Sequence, residues 1–154
     1  DLKNNPYSRR IMTNTYVFAD LCEMNLYPCA YSATYNVTKK PGEDRLTLNM
    51  VLNQRSQDVL MANNWNVSQY AILLMMVAQC CGMVPGELIH VIADAHIYDR
   101  HVEIVKELIS RPVYEAPKVS LNPEVTDFYA FTTADLLVEN YVTGPQVKNI
   151  PVAV

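Results

Sequence analysis

Cys29 stands directly behind Pro28 in "MNLYPCAYS", where a polar, irregular stretch gives way to aromatic and β-favouring residues. A cysteine in that place is either a small core residue following a turn or a nucleophile held in fixed geometry. As a nucleophile it needs an electropositive neighbour, because the thiolate is the attacking species. One candidate neighbour is "QRSQD", residues 54 to 58, which gathers an amide, a guanidinium, a hydroxyl and a carboxylate at one strand end. Arg55 and Ser56 suit a phosphate, the first through charge-assisted hydrogen bonds and the second through its hydroxyl. The alternative is an ordinary solvated strand end. Arg9-Arg10 forms a second cationic point.

Asn66, in "NNWN", falls near the start of a helical pattern. There it either caps the helix or reads the edge of a heterocycle, since a carboxamide offers both a donor and an acceptor. "DAHIYDRH" adds Asp94, His96 and Tyr98 after an apolar run. His96 and His101 are five apart and His90 lies six before His96, spacings that place no metal triad on one helical face. No metal is expected.

The elements that must position these groups follow from the apolar pattern. "RRIMTNTYV", "YSATYNVTK" and "RLTLNMVLNQRS" read as strands, the last alternating from Leu46 to Leu52, and Pro41-Gly42 marks the turn of an antiparallel hairpin. "NWNVSQYAILLMMVAQCCGM" reads as a helix from Asn64, with Asn available as N-cap and Gly82 at the C′ position. Apolar residues on nearly every side predict that it is buried, with Met75-Met76 as packing residues. "PGELIHVIADAHIY" is expected to begin at a Pro-Gly turn and run as a strand through Val91-Ile92. "DRHVEIVKELIS" is an amphipathic helix with Val102, Val105 and Ile109 on one face, stopped by Pro112. "PKVSLNP" is a further strand, and "TTADLLVENY" fits either state. The sum is an α+β fold, a mostly antiparallel sheet packed against a buried helix.

Twelve basic against sixteen acidic residues give a formal charge of −4, so there is no global basic field for nucleic acid and any anion must be caught locally. Cys22, Cys29, Cys80 and Cys81 contain no C-x-x-C, which argues against a disulfide framework and for a reducing, cytoplasmic setting. The apolar run Ala71–Ala78 is far short of the roughly 20 residues of a membrane span. One domain is expected over residues 1–154. A start at Asp1, in what reads as a surface loop, suggests a part of a longer polypeptide.

Taken in order, "SRR", "PCAY", "QRSQD", "NNWNVSQYA", "DAHIY", "LNPEVTDFY" and "PVAV" resemble the thymidylate synthase family over nearly the whole chain. The resemblance implies the C-terminal catalytic portion of such an enzyme, with the family's N-terminal portion absent. It implies reductive methylation of dUMP to dTMP, with 5,10-methylenetetrahydrofolate as co-substrate. By the same likeness Cys29 attacks C6 of the uracil, Asn66 bonds the pyrimidine carbonyl and ring N–H, and Asp58 contacts the pterin. Gln54, Arg55 and Ser56 belong to the substrate site, with Arg55 and Ser56 on the phosphate, which Arg9 and Arg10 reach from the other subunit of a homodimer. His96 and Tyr98 bind the deoxyribose hydroxyl, and the carboxylate of Val154 closes over the folate.

This chain departs from the family pattern at three places. Ala30 follows the nucleophile where His is frequent, Ala62 replaces a usual Gly, and Asn64-Trp65 replaces Pro-Phe. Two alternatives stand beside the synthase: a pyrimidine nucleotide hydroxymethylase of the same fold, and a truncated, non-catalytic nucleotide-binding or dimerisation module. Asn66 argues against a cytosine-specific hydroxymethylase, whose members carry Asp there.

Overall fold

Alternation of apolar side chains builds the centre of the molecule. In the computed structural model, which describes residues 1–152, a short strand β1 (Met12–Asn14) precedes two long ones, β2 (Ala30–Thr38) and β3 (Thr47–Gln54). β2 and β3 form the expected antiparallel hairpin, and β1 pairs antiparallel on the outer edge of β2. Ala33, Tyr35 and Val37 of β2 and Leu48, Met50 and Leu52 of β3 point to one face and are buried. Complete burial of a side chain the size of Leu or Met stabilises by roughly 1.5–3 kcal/mol, so these positions anchor the sheet.

A two-residue strand β4 (Gln57–Asp58) follows β3, and then helix α1 (Asn63–Cys80). The helix lies against the buried sheet face, inserting Leu74 and Ala78 into the core beside Met83. Its remaining apolar side chains are half-buried or exposed, Trp65 among the latter, so this chain covers one face of a helix that is apolar all round. No Asn caps it. The N-cap position is Ala62, without a side-chain cap, and the preceding turn is closed by Asp58 instead, whose carbonyl accepts from Ala62 N at 3.0 Å. At the other end Gly82 takes φ +70°, the C′ conformation expected of it.

Strand β5 (Val84–Ile92) then joins the sheet beside β3, running parallel to it, which makes the sheet mixed, in the order β1-β2-β3-β5. The expected Pro-Gly turn is not a turn. Pro85 and Gly86 lie inside β5, where the register slips between Leu48 and Met50 and one extra residue is accommodated. The Asn49 side chain closes this irregularity, accepting from Glu87 N at 3.0 Å. Gly86 is required by space: a Cβ there would sit 2.6 Å from Thr47 Cγ2, 3.0 Å from the Leu48 carbonyl, and against Asn49 Oδ1.

The remaining chain is peripheral. β6 (Ala95–His96) pairs parallel with β4, a 3-10 turn spans Asp99–His101, and α2 (Val102–Ile109) follows. Val102 and Val105 are half-buried as the amphipathic reading requires, but Ile109, the last residue of the helix, is exposed. β7 (Lys118–Leu121) and β8 (Leu136–Glu139) form a separate antiparallel pair, so the ambiguous "TTADLLVENY" contributes a 3-10 turn and a strand. No helix is long and apolar enough to cross a membrane among the described residues.

Candidate active site

The end of β3 brings the chemistry together. Ala30, the first residue of β2, pairs with Gln54, the last of β3, and a register shift between Ala30 and Ser32 leaves Tyr31 as the extra residue of a bulge. Bulges bend a strand and re-aim its side chains, and this one lies two residues from Cys29. Arg55, just beyond β3, then faces the Tyr27–Cys29 segment. Its backbone N–H donates to the Cys29 carbonyl at 2.9 Å. Its Nε donates to the Pro28 carbonyl at 3.1 Å and its Nη2 to the Tyr27 carbonyl at 2.7 Å. The same Nη2 is 3.9 Å from Cys29 Sγ. Two backbone acceptors thus hold the guanidinium in one place, with a fixed positive charge beside a half-buried thiol.

Behind this pair runs a chain of side-chain amides. Gln54 and Gln57 are each only 1% exposed, so protein partners rather than water decide which way each amide points. Gln54 Nε2 donates to the Ser56 carbonyl at 2.7 Å and to Gln57 Oε1. Its Oε1 meets His90 Nε2 at 2.9 Å, and since an amide oxygen only accepts, His90 carries its proton on Nε2. Gln57 Nε2 donates to the Asp58 carbonyl at 3.0 Å, while Gln57 Oε1 accepts from Asn66 Nδ2 at 3.0 Å. Burial, which disfavours the charged ring, holds the His90 pKa below its ordinary value.

β4 and β6 attach the second half of the site. Gln57 N donates to the Asp94 carbonyl at 2.8 Å and Val59 N to the His96 carbonyl at 3.0 Å, which sets Asp58 opposite His96. Asp58 Oδ1 accepts from Leu60 N at 3.0 Å and Met61 N at 3.1 Å, fixing its carboxylate over the turn into α1. His96 packs edge-on against Tyr98 with ring centres 5.1 Å apart, and its Nδ1 is 3.6 Å from the exposed Asp94 carboxylate. Of the expected site residues, Cys29, Gln54, Arg55, Ser56, Asp58, Asn66 and His96 therefore gather around one strand end, with Tyr98 against His96.

Arg9 and Arg10 do not join them. Both are exposed, and Arg9 lies against Thr34–Val37 in the far half of β2. At about 3.3 Å per residue that is on the order of 20 Å along the strand from Cys29. Val154 lies outside the described residues. The segment leading to it is held, however: His101 Nε2 meets the Pro151 carbonyl at 2.8 Å and Arg100 Nη1 donates to the Val152 carbonyl at 2.7 Å.

Sequence reasoning missed several participants. His90 and His101 signal in the sequence only a metal spacing that they do not fit, and Gln57 and Arg100 carry no signal of their own, because a polar residue in a strand or turn reads as solvated until its partner is known. The aromatic cluster was legible only as β-favouring composition: Tyr16 stacks edge-on with Phe18, Tyr27 and Tyr31 at 6.2–6.5 Å. With Asn14 and Arg55, Tyr16, Phe18 and Tyr31 line a cleft of about 380 Å³. A larger cleft, about 840 Å³, runs along Trp65, Ile72, Met76 and Tyr141 on the uncovered side of α1, away from Cys29.

The model of the thymidylate synthase family matches residues 1–154. A thymidylate synthase of Clostridium beijerinckii is 40% identical over 149 residues, 96% of this chain and 54% of that protein. One from Bacillus subtilis subsp. natto is 41% identical over 146 residues, 95% of this chain and 50% of its own length. Among solved structures, thermostable thymidylate synthase A from Bacillus subtilis superposes with a TM-score of 0.88 at 39% identity, covering 97% of this chain and 52% of that one. The chain spans about half the length of the curated relatives it matches.

Proposed function

This chain belongs to the thymidylate synthase family, and from that premise we propose that the protein carrying it is the methyltransferase that converts dUMP to dTMP. The second substrate is 5,10-methylenetetrahydrofolate, which supplies the one-carbon unit and the hydride and leaves as dihydrofolate. The observation that carries this reading is the Arg55 guanidinium held 3.9 Å from Cys29 Sγ, on the same strand end as the amide that presents Asn66.

In this scheme Cys29 Sγ forms a bond to C6 of the uracil, and the electron pair of the C5–C6 double bond moves through C5 toward O4. C5 becomes the nucleophile for the one-carbon unit. Asn66 receives the ring N3–H on its Oδ1 and donates its second Nδ2 proton to O4, where charge develops. Once C5 has bonded the one-carbon unit, loss of the C5 proton and cleavage of the bond between that carbon and the folate nitrogen leave a methylene group on C5. Hydride from the released tetrahydrofolate then adds to this methylene as Cys29 departs with its bonding electron pair, which restores the C5–C6 double bond and gives the methyl group and dihydrofolate. Arg55 serves the phosphate as well as the thiolate, with Ser56 beside it and Gln54 behind, and His96 and Tyr98 face the ribose. Asp58, clamped by two backbone N–H groups, and the tail ending at Val154 would hold the folate. No metal takes part.

The placement of Arg9 and Arg10 supports a homodimer. They are too far along β2 to serve the Cys29 of their own chain, yet exposed and able to serve that of a partner. A thiol nucleophile also suits a reducing, cytoplasmic setting. The test uses the intact protein with dUMP and methylenetetrahydrofolate. Absorbance is expected to rise as dihydrofolate forms, and Cys29→Ser to lose nearly all of that rise. In parallel, dUMP is expected to protect Cys29 from alkylation and dCMP not to. Equal protection would overturn the uracil assignment, and an unchanged rate in Cys29→Ser would remove that residue from the chemistry.

A further inference from the structure

We propose that Gln57 is a specificity-determining positioning residue: it locks the Asn66 carboxamide in the one orientation that matches a uracil edge and mismatches a cytosine edge. The inference rests on the proposed role of Asn66 as the pyrimidine reader and goes beyond it by saying what prevents that reader from turning over.

A free Asn side chain is nearly symmetric in shape and reads either edge by rotating half a turn. Uracil presents a donor at N3–H and an acceptor at O4, so it needs Oδ1 toward N3 and Nδ2 toward O4. Cytosine presents an acceptor at N3 and a donor at its amino group, and needs the reverse. Here the choice is made by the backbone. The Asp58 carbonyl can only accept, so Gln57 must offer it Nε2, at 3.0 Å. That turns Gln57 Oε1 toward Asn66, which must in turn offer Nδ2, at 3.0 Å.

Gln54 reinforces the same polarity. Its Nε2 is committed to the Ser56 carbonyl at 2.7 Å, and it donates to Gln57 Oε1 as well. His90 Nε2–H closes the far end of the chain on Gln54 Oε1. Reversing Gln57 would set its Oε1 against the Asp58 carbonyl and its Nε2 against the Nε2 of Gln54. Both Gln side chains are shut off from water, so no solvent repairs such a mismatch. Gln57 thus carries the polarity of a backbone carbonyl to the atom that touches the base.

The experiment compares wild type, Gln57→Leu and Gln57→Glu in the intact protein. It measures KM and kcat for dUMP, and Cys29 protection by dUMP and by dCMP, with thermal unfolding as the folding control. In Gln57→Leu, Asn66 is free to turn. The preference for dUMP over dCMP should fall roughly three- to tenfold, the worth of one hydrogen bond, mostly through the dUMP KM and less through kcat. Gln57→Glu, protonated against the Asp58 carbonyl as that acceptor requires, donates its hydroxyl there, keeps an accepting oxygen facing Asn66 and should keep the preference within about threefold of wild type on the same scale. A folded Leu variant with wild-type preference overturns the inference. Where the Leu variant does not fold, the Glu variant decides: retained preference supports it and lost preference overturns it. A wild-type protein that shows no dUMP preference refutes the uracil-reading role of Asn66 itself, a failure separate from that of Gln57.

Discussion

Arg55→Lys keeps the positive charge but should cost most of the activity, because the guanidinium does structural work that an ammonium cannot copy. Arg55 reaches three carbonyl or sulfur atoms of the Tyr27–Cys29 segment from one planar group: Pro28 O at 3.1 Å, Tyr27 O at 2.7 Å and Cys29 Sγ at 3.9 Å. A lysine ammonium is a point charge on a flexible stem and can satisfy one of the carbonyls or stay near the thiol. A hydrogen bond from a charged donor contributes about 1.5–3 kcal/mol when dry. The Tyr27 bond is exposed and the Pro28 bond partly buried, so the combined loss is taken as about 1.5–2.5 kcal/mol. The backbone bond from Arg55 N to the Cys29 carbonyl survives, which leaves the strand end folded.

At 1.4 kcal/mol per decade, that loss predicts a fall in kcat/KM of roughly ten- to sixtyfold from misplacement of the nucleophile alone. Weaker phosphate binding adds to it through KM. The assay is steady-state dihydrofolate formation, together with the rate of Cys29 alkylation in the substrate-free protein. An Arg55→Lys protein within about twofold of wild type in kcat/KM, where the argument requires at least a decade, would show that charge alone suffices and that the bonds to Tyr27 and Pro28 are incidental.

Two further outcomes follow from the fold. Gly86→Ala should lower stability by about 2–4 kcal/mol, the sum of an overpacked Cβ and the lost Asn49–Glu87 bond, as read by urea unfolding; an unchanged midpoint would mean that the slipped register of β5 relaxes freely. Because burial depresses the His90 pKa, the unfolded chain takes up that proton first as pH falls below about 6.5. The His90 contribution is therefore intact above that value and lost below it, down through the lower folded pKa. His90→Gln should flatten this acid limb in pH-dependent thermal unfolding, and an identical slope would remove His90 as its source.

Local pattern sufficed for much of the fold. The alternation in β2 and β3 and the Pro41-Gly42 turn specify an antiparallel hairpin without help from the rest of the chain, and Gly82 marks the end of α1. The parallel direction of β5 follows from chain length: a strand, an 18-residue helix and a second strand form a crossover long enough to return parallel. Pro85-Gly86 misled because the same dipeptide serves a turn and a strand irregularity, and only the neighbouring Thr47–Asn49 backbone distinguishes them. The absent Asn cap has a similar cause, since the carbonyl of Asp58 already closes the turn ahead of the helix.

Residue types and their order determined which side chains are candidates for the site: a thiol after a proline, a guanidinium at a strand end, an amide at a helix start. Those are chemical identities, carried by each residue regardless of its surroundings. Tertiary structure decided how they are aimed. The Ala30–Gln54 pairing brings Arg55 to Cys29, the length of β2 separates Arg9 from both, and the backbone carbonyls of Ser56 and Asp58 set the orientation of Gln54, Gln57 and Asn66. Orientation of an amide is a property of its partners, and those partners lie up to 36 positions away in the sequence.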